Sequence, residues 1–184
     1  MKQFKSVILV KHPKTVVWKS IRDHLLQLTP YLDDVASITE ESRLCLPQGT
    51  VQITNRWQAD TTLPTVLQPF IDSQQLGWTD HAQWFEDRSL CIWRIEPHFL
   101  SNAIQCHGET RYEPAMGGRG ARITFEGEIH LETPGFPGMP SFMEATAAKT
   151  LETLITTLIP QNFRKVTTAL SHLLKTPQAT ELTT

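Results

Sequence analysis

Asn55 alternates with Val51, Ile53 and Trp57 along the stretch TVQITNRWQA. In a strand that parity puts an amide on the apolar face. A buried amide needs hydrogen-bond partners, either a ligand's polar head or neighbouring backbone. Arg94 shares its parity with Leu90 and Ile92 in SLCIWRIEP. It either points inward with them, or is a surface end-of-strand charge, or pairs with Glu109 or Glu113. Tyr112 falls in step with Ile104 and Cys106 in NAIQCHGETRYE, on the side those residues mark as buried. His107, Glu109 and Arg111 form a row on the other side of that strand. These are residue types for acid–base work, but their parity makes the row solvated. The remaining histidines show neither HxxxH nor HExxH spacing, and there is no GxSxG, phosphate-loop or dinucleotide pattern. A metal site is not expected, a cofactor is not expected, and no residue is assigned a catalytic role.

The elements that position these residues follow from the rest of the chain. Its 184 residues, 40% hydrophobic and 20% charged with a net charge of −2, suit one globular domain. A nucleic-acid partner is not expected, since no long basic run exists. The apolar run at Val7 to Val10 is too short for a signal peptide's core, and no run approaches a membrane span. Cys45, Cys91 and Cys106 read as reduced, packed thiols, which points to the cytoplasm.

FKSVILVK reads as a strand, and Pro13 opens a helix whose Val17, Trp18, Ile21, Leu25 and Leu28 share a face. Thr29 caps a second short helix through Asp34. VASITEESRLCL and TVQITNRWQA follow as strands joined at Pro47-Gln48-Gly49. The segment 63–77 has helical spacing cut by Pro64 and Pro69, and reads as an inserted lid with Leu67, Phe70 and Ile71 as its apolar side. WTDHAQWFED, SLCIWRIEP, NAIQCHGETRYE and ARITFEGEIHLE are four further strands, with PAMGGRG as a hairpin tip. Ser141 and Glu144 match a capping box at the start of a helix that runs to about Lys175. The domain thus spans 1–175, with 176–184 a flexible tail.

Pro160 interrupts that helix. A straight helix over Phe142 to Lys175 is about 51 Å long, against a globule about 40 Å across. The apolar residues read as two stripes, Met143, Ala147, Leu151, Leu154 and Leu158, then Ile159, Phe163, Val166, Leu170 and Leu173, rotated by roughly 100° at Pro160. The expectation is a bend over Thr156 to Pro160, with a clean break into two helices as the alternative. One strand, two short helices, six strands and a long helix make an α+β protein, a curved antiparallel sheet of about seven strands wrapped on one helix.

VILVKHPKTVVWKSIRD, the short helix at TPYLDDV, the meander from Val35 to Leu131 and the long helix after TPGFPGMP together resemble the START-like superfamily, also called SRPBCC. It includes the birch-pollen allergen, polyketide cyclases and lipid-transfer START domains. The resemblance covers about Phe4 to Lys175 and rests on order and pattern. It implies a helix-grip fold with a hydrophobic cavity for lipids, sterols, polyketides or isoprenoid quinones. The stretch Glu86 to Ser89 lacks the glycine-rich loop of the plant allergens, and the insertion is longer than usual.

Trp57, Trp84, Trp93, Tyr112 and Phe125 face inward by parity, with Ala147, Leu151 and Leu154 from the helix. On their own they pack a filled core. With the resemblance they line a cavity, and the smallness of Ala147 and Gly127 fits that. Three functions remain open. The first is non-catalytic binding or carriage of a hydrophobic small molecule. The second is a polyketide cyclase or dehydratase in which Asn55, Arg94 and Tyr112 polarise a carbonyl. The third is a protein-interaction module, with transient membrane contact. The first is preferred because no titratable cluster falls on the inferred interior.

Overall fold

The computed structural model describes residues 1–65, 67–69, 76–99, 104–132 and 140–175, without the side chains of Leu154 and Leu158. Seven strands form one sheet: β1 (Lys2–Val10), β2 (Val35–Leu46), β3 (Thr50–Ala59), β4 (Gly77–Phe85), β5 (Leu90–Pro97), β6 (Ile104–Ala115) and β7 (Gly120–Leu131). Their spatial order is β1-β7-β6-β5-β4-β3-β2, every neighbour antiparallel. Strands β2 to β7 are a meander, and β1 closes onto β7 from the far end of the sequence. The helix α1 (Lys14–Asp23) and a 3-10 helix (Leu25–Tyr31) bridge β1 and β2, and the long helix α2 (Ser141–Leu173) covers the sheet.

One face of the sheet is apolar because the strands β3 to β7 alternate. Ile53, Asn55 and Trp57 of β3, Ala82 and Trp84 of β4, and Cys91 and Trp93 of β5 are buried, as are Cys106, Thr110 and Tyr112 of β6 and Ile123, Phe125 and Ile129 of β7. α2 meets that face with Ala147, Leu151, Ile155, Val166, Ala169 and Leu170, all buried. This α+β arrangement, a curved antiparallel sheet gripping one long helix after two short ones, is the expected fold class.

Several local expectations change. Leu25 and Leu28 are buried as anticipated, but they belong to the 3-10 helix, not to α1. Thr29 does not cap a new helix; its hydroxyl donates back to the Leu26 carbonyl at 2.9 Å, and Pro30 lies inside the 3-10 turn. The capping box at Ser141 and Glu144 does not form, since Pro140 occupies the N-cap position and α2 begins without a side-chain cap. Cys45 is exposed, whereas Cys91 and Cys106 are buried.

α2 is one continuous helix with Pro160 inside it. Among the described side chains, the buried face does not follow two rotated stripes. Ala147, Leu151 and Ile155 are buried, and Ile159 and Phe163 pack on the core at the same spacing of four. The apolar face therefore runs through Pro160 without a step. The Thr156 hydroxyl does not serve the carbonyl freed by the proline. It donates to the Glu152 and Thr153 carbonyls at 2.8 and 3.1 Å.

The inserted segment is described only at its two ends. Pro64 opens a turn in which its carbonyl accepts from the Leu67 amide at 2.8 Å, and Leu67 is fully buried. The placement of Phe70 and Ile71 in a lid, like the tail 176–184, lies outside the described residues.

Candidate functional site

An apolar cavity of about 240 Å³ lies between the sheet and α2. This is just below the ~300–1,000 Å³ of typical small-molecule sites. Each wall comes from a different element. The inner face of β3 gives Ile53, Asn55 and Trp57, and β4 gives Trp78, Asp80, Ala82 and Trp84. Cys91, Trp93, Cys106, Thr110, Tyr112 and Phe125 continue the wall across β5 to β7. Ile155, Ile159, Asn162, Phe163 and Val166 close it from α2, and Ile21, Arg22 and Leu25 from the α1 region. Leu63 and Leu76, at the two ends of the inserted segment, also line it.

The aromatic rings are locked to one another. Phe125 stacks on Phe163 of α2 with centroids 4.2 Å apart and on Trp93 at 4.9 Å. Trp57 stacks on Trp78 at 5.3 Å. Trp18 enters from α1 edge-on to Trp84 at 5.0 Å and to Tyr112 at 5.1 Å. Such pairs contribute about 0.5–1.5 kcal/mol each beyond their buried area. The Trp93 indole N–H donates to the Thr110 hydroxyl at 3.1 Å. Its ring rides over two glycines that face each other, Gly108 and Gly127. A Cβ on Gly108 would lie 2.5 Å from that ring, and one on Gly127 2.6 Å. The smallness of Gly127 therefore makes room for Trp93 and opens no cavity space.

Asn55, Trp57, Trp84, Trp93, Tyr112 and Phe125 are thus brought together around one cavity. Ala147 and Leu151 are fully buried but lie outside its lining, in the packed part of the helix–sheet interface. The side chain of Leu154 is outside the described set. Arg94 must be corrected. On β5 it is Cys91 and Trp93 that point inward, so the parity of Arg94 carries it to solvent. Its side chain is 62% exposed and lies 3.6 Å from Glu96, not beside Glu109 or Glu113. The row His107, Glu109 and Arg111 is on the outer face, where His107 pairs with Glu128 at 3.0 Å and Arg111 with Glu109.

Asp80 is the residue that the sequence reading missed. It stands directly opposite Asn55 in the β3–β4 register and lines the cavity. Desolvation by the apolar walls drives its carboxyl up to about 7, and a hydrogen bond from the Asn55 side chain opposes part of that rise. Burial holds the Cys91 thiol and the Tyr112 phenol well above their ordinary values, helped by the nearby Asp80 charge, and pushes Cys106 to about 12. All three remain neutral, and Asp80 is the group here that titrates near neutrality. Arg22 gives it no free counter-charge, because its guanidinium is committed to Asp23 at 2.8 Å and Glu86 at 3.1 Å. Three buried polar atoms of the lining residues have no hydrogen-bond partner among the described residues: Asn55 Oδ1, Asn162 Oδ1 and Trp57 Nε1. Among the described residues, no group of three His, Cys, Asp or Glu side chains is placed to hold a metal ion.

An antiparallel seven-stranded sheet wrapped on one C-terminal helix, with a cavity between them, is the architecture of a known group of structures. The Zhui aromatase/cyclase from Streptomyces sp. R1128 superposes with a TM-score of 0.63 at 15% identity, over 95% of this chain and 93% of that one. The protein TTHA0849 from Thermus thermophilus gives 0.62 at 17% identity, over 93% and 95%. Ara h 8.0201 gives 0.54 at 14% identity, over 94% and 97%. The chain has the helix-grip fold. The sequence matches no protein-family model and no curated protein. Likeness at these identities concerns the fold. Among the described residues, no helix is long and apolar enough to cross a membrane.

Proposed function

We propose that the protein binds a small, mostly apolar, ring-containing molecule in the cavity between sheet and α2. The observation that carries this reading is a cavity that remains between the sheet and helix, walled by stacked Trp and Phe rings. Burying the ligand's apolar surface supplies about 25 cal/mol per Å², and flat rings find flat partners already fixed in place. The allergen- and cyclase-type structures that share the fold support a small-molecule role at the level of architecture. Native mass spectrometry of protein purified from its own host tests it. The expected spectrum carries a stoichiometric apolar adduct, lost on unfolding. A protein that stays ligand-free and also fails to bind added apolar ring compounds contradicts it.

Asp80 favours a second reading, an acid–base enzyme of the cyclase or dehydratase kind. Its carboxyl titrates near 7 inside an apolar cavity, the range in which a group serves as both base and acid at neutral pH. In this reading Asp80 takes a proton from the carbon beside a ketone and returns one. Exchange of those hydrogens with deuterium in a bicyclic ketone such as 2-tetralone, followed by NMR, is then faster with the protein than with Asp80→Asn. Equal rates leave the cavity as a binding site without this chemistry.

A further inference from the structure

The walls of the cavity are apolar, yet polar groups are gathered in them. Asp80 and Asn55 face each other on adjacent strands, and Asn162 stands in the wall formed by α2. Asn55 is 4% exposed, and its Oδ1 has no partner among the described residues, like the Oδ1 of Asn162. An unsatisfied buried polar atom is costly. Asp80 and the two amide oxygens are acceptors, and the unpartnered Trp57 indole N–H in the same lining is a donor, so the wall suits a molecule that donates and can also accept, as a hydroxyl does. Among the described residues no free cation stands beside them, since Arg22 is committed to Asp23 and Glu86. A carboxylate ligand would find one indole donor in Trp57 against three acceptor groups and a like charge.

We propose that Asp80, oriented by Asn55, is the recognition group for a hydroxyl on the ligand, so that the site selects neutral ring alcohols and phenols over the corresponding hydrocarbons and carboxylic acids. This rests on the cavity being a ligand site and adds the chemical class of what enters it. The ligand's O–H donates to the Asp80 carboxylate. The Asn55 amide donates to the same carboxylate and holds its orientation. A neutral donor satisfies the acceptor without carrying a second charge into the apolar cavity. A hydrogen bond to a charged group in such surroundings is worth more than one between neutral partners.

The groups facing Asp80 do not compete for this role. Cys91 of β5 and Tyr112 of β6 are both held in their neutral forms by burial. Across the ladders Asp80 is opposite Asn55 on one side and Ile95 on the other. From the helices, Arg22 is spent on its own ion pairs, and Asn162 carries no charge.

A matched ligand series separates this proposal from the reading beneath it. Naphthalene, 2-naphthol, 2-naphthylmethylamine and 2-naphthoate are titrated at pH 8 into the wild type, Asp80→Leu and Asp80→Asn, with quenching of the cavity tryptophans as signal. The expected result is binding of naphthalene by all three proteins. 2-Naphthol binds the wild type about tenfold more tightly than naphthalene, the size of one hydrogen bond to a charged group. That preference, read as the ratio of 2-naphthol to naphthalene affinity within each protein, disappears in Asp80→Leu and shrinks in Asp80→Asn. 2-Naphthoate binds the wild type least. Naphthol no tighter than naphthalene, a preference that survives in Asp80→Leu, or naphthoate or the amine binding tightest overturns the proposal while leaving the cavity a binding site. Absence of binding by any member of the series overturns the ligand-site reading itself.

Discussion

Asn55 and Asp80 face each other across the β3–β4 ladder on the side of the sheet that α2 covers. An amide and a carboxyl are thus paired within a surface otherwise made of tryptophan, isoleucine and alanine. Placing a carboxyl there costs stability, and the sign of its pH dependence is fixed. Its folded pKa, about 7, is above the ordinary carboxylate value, so the folded state holds a proton that the unfolded chain has lost. The Asp80 contribution therefore becomes destabilising as pH rises from about 4 to 7, and that penalty is fully present above 7.

Asp80→Asn removes that titration. The stability of the variant relative to the wild type is expected to be greater at pH 8 than at pH 5, by a few kcal/mol. Urea unfolding of both proteins at the two pH values measures the difference. An equal gap at both would mean that Asp80 is solvated and ordinary.

The sequence contained enough to find Asp80. Trp84 reads as inward, and Asp80 is four residues before it in a strand with a period of two, so the same parity places it inside. Asn55 was legible for that reason. The strand boundaries and the sheet on one helix were legible too, because most strands alternate cleanly, β2 with its two bulges being the exception. Arg94 was misread because Leu90 and Ile92 are apolar and Cys91 looks weak as a marker, yet Ile92 is 43% exposed and Cys91 is buried. Edge-on packing of Trp18 between β4 and β6, and the choice of Ile155 over a rotated stripe, are settled by tertiary contacts that periodicity does not contain.

Arg94→Ala is expected to change stability by less than about 1 kcal/mol, because its ion pair with Glu96 is exposed. Binding of naphthalene-type probes should be unaffected. A large loss of binding would return the guanidinium to the cavity side.

Gly108→Ala forces a methyl group against the Trp93 ring and against the neighbouring strand's backbone. Overpacking of this kind costs about 1–3 kcal/mol. The same substitution tilts Trp93 away from Phe125, so the near-ultraviolet circular dichroism of the stacked rings changes with it. Unaltered stability and spectrum would show that the ring has slack over the two glycines.

Pro160→Ala returns a donor to the middle of α2. Since Ile155, Ile159 and Phe163 continue one face through the proline, no contact depends on a step there. Stabilisation is expected, at most the ~3 kcal/mol of an isolated helix, with probe affinity unchanged. Destabilisation together with weaker binding would mean that the proline shapes the helix to the sheet.

The central claim is that the space between sheet and helix is where an apolar molecule binds, and a variant that fills it gives the most direct test. Ala82 lines the cavity between Ile53 and Trp93, so Ala82→Phe puts a ring into the space that a ligand would take. The measurement is the dissociation constant of naphthalene for the wild type and for Ala82→Phe, with urea unfolding of both to establish that each is folded. The account predicts saturable binding by the wild type and at least a tenfold loss in the folded variant. Equal affinity in the two proteins would place the binding site elsewhere and contradict it.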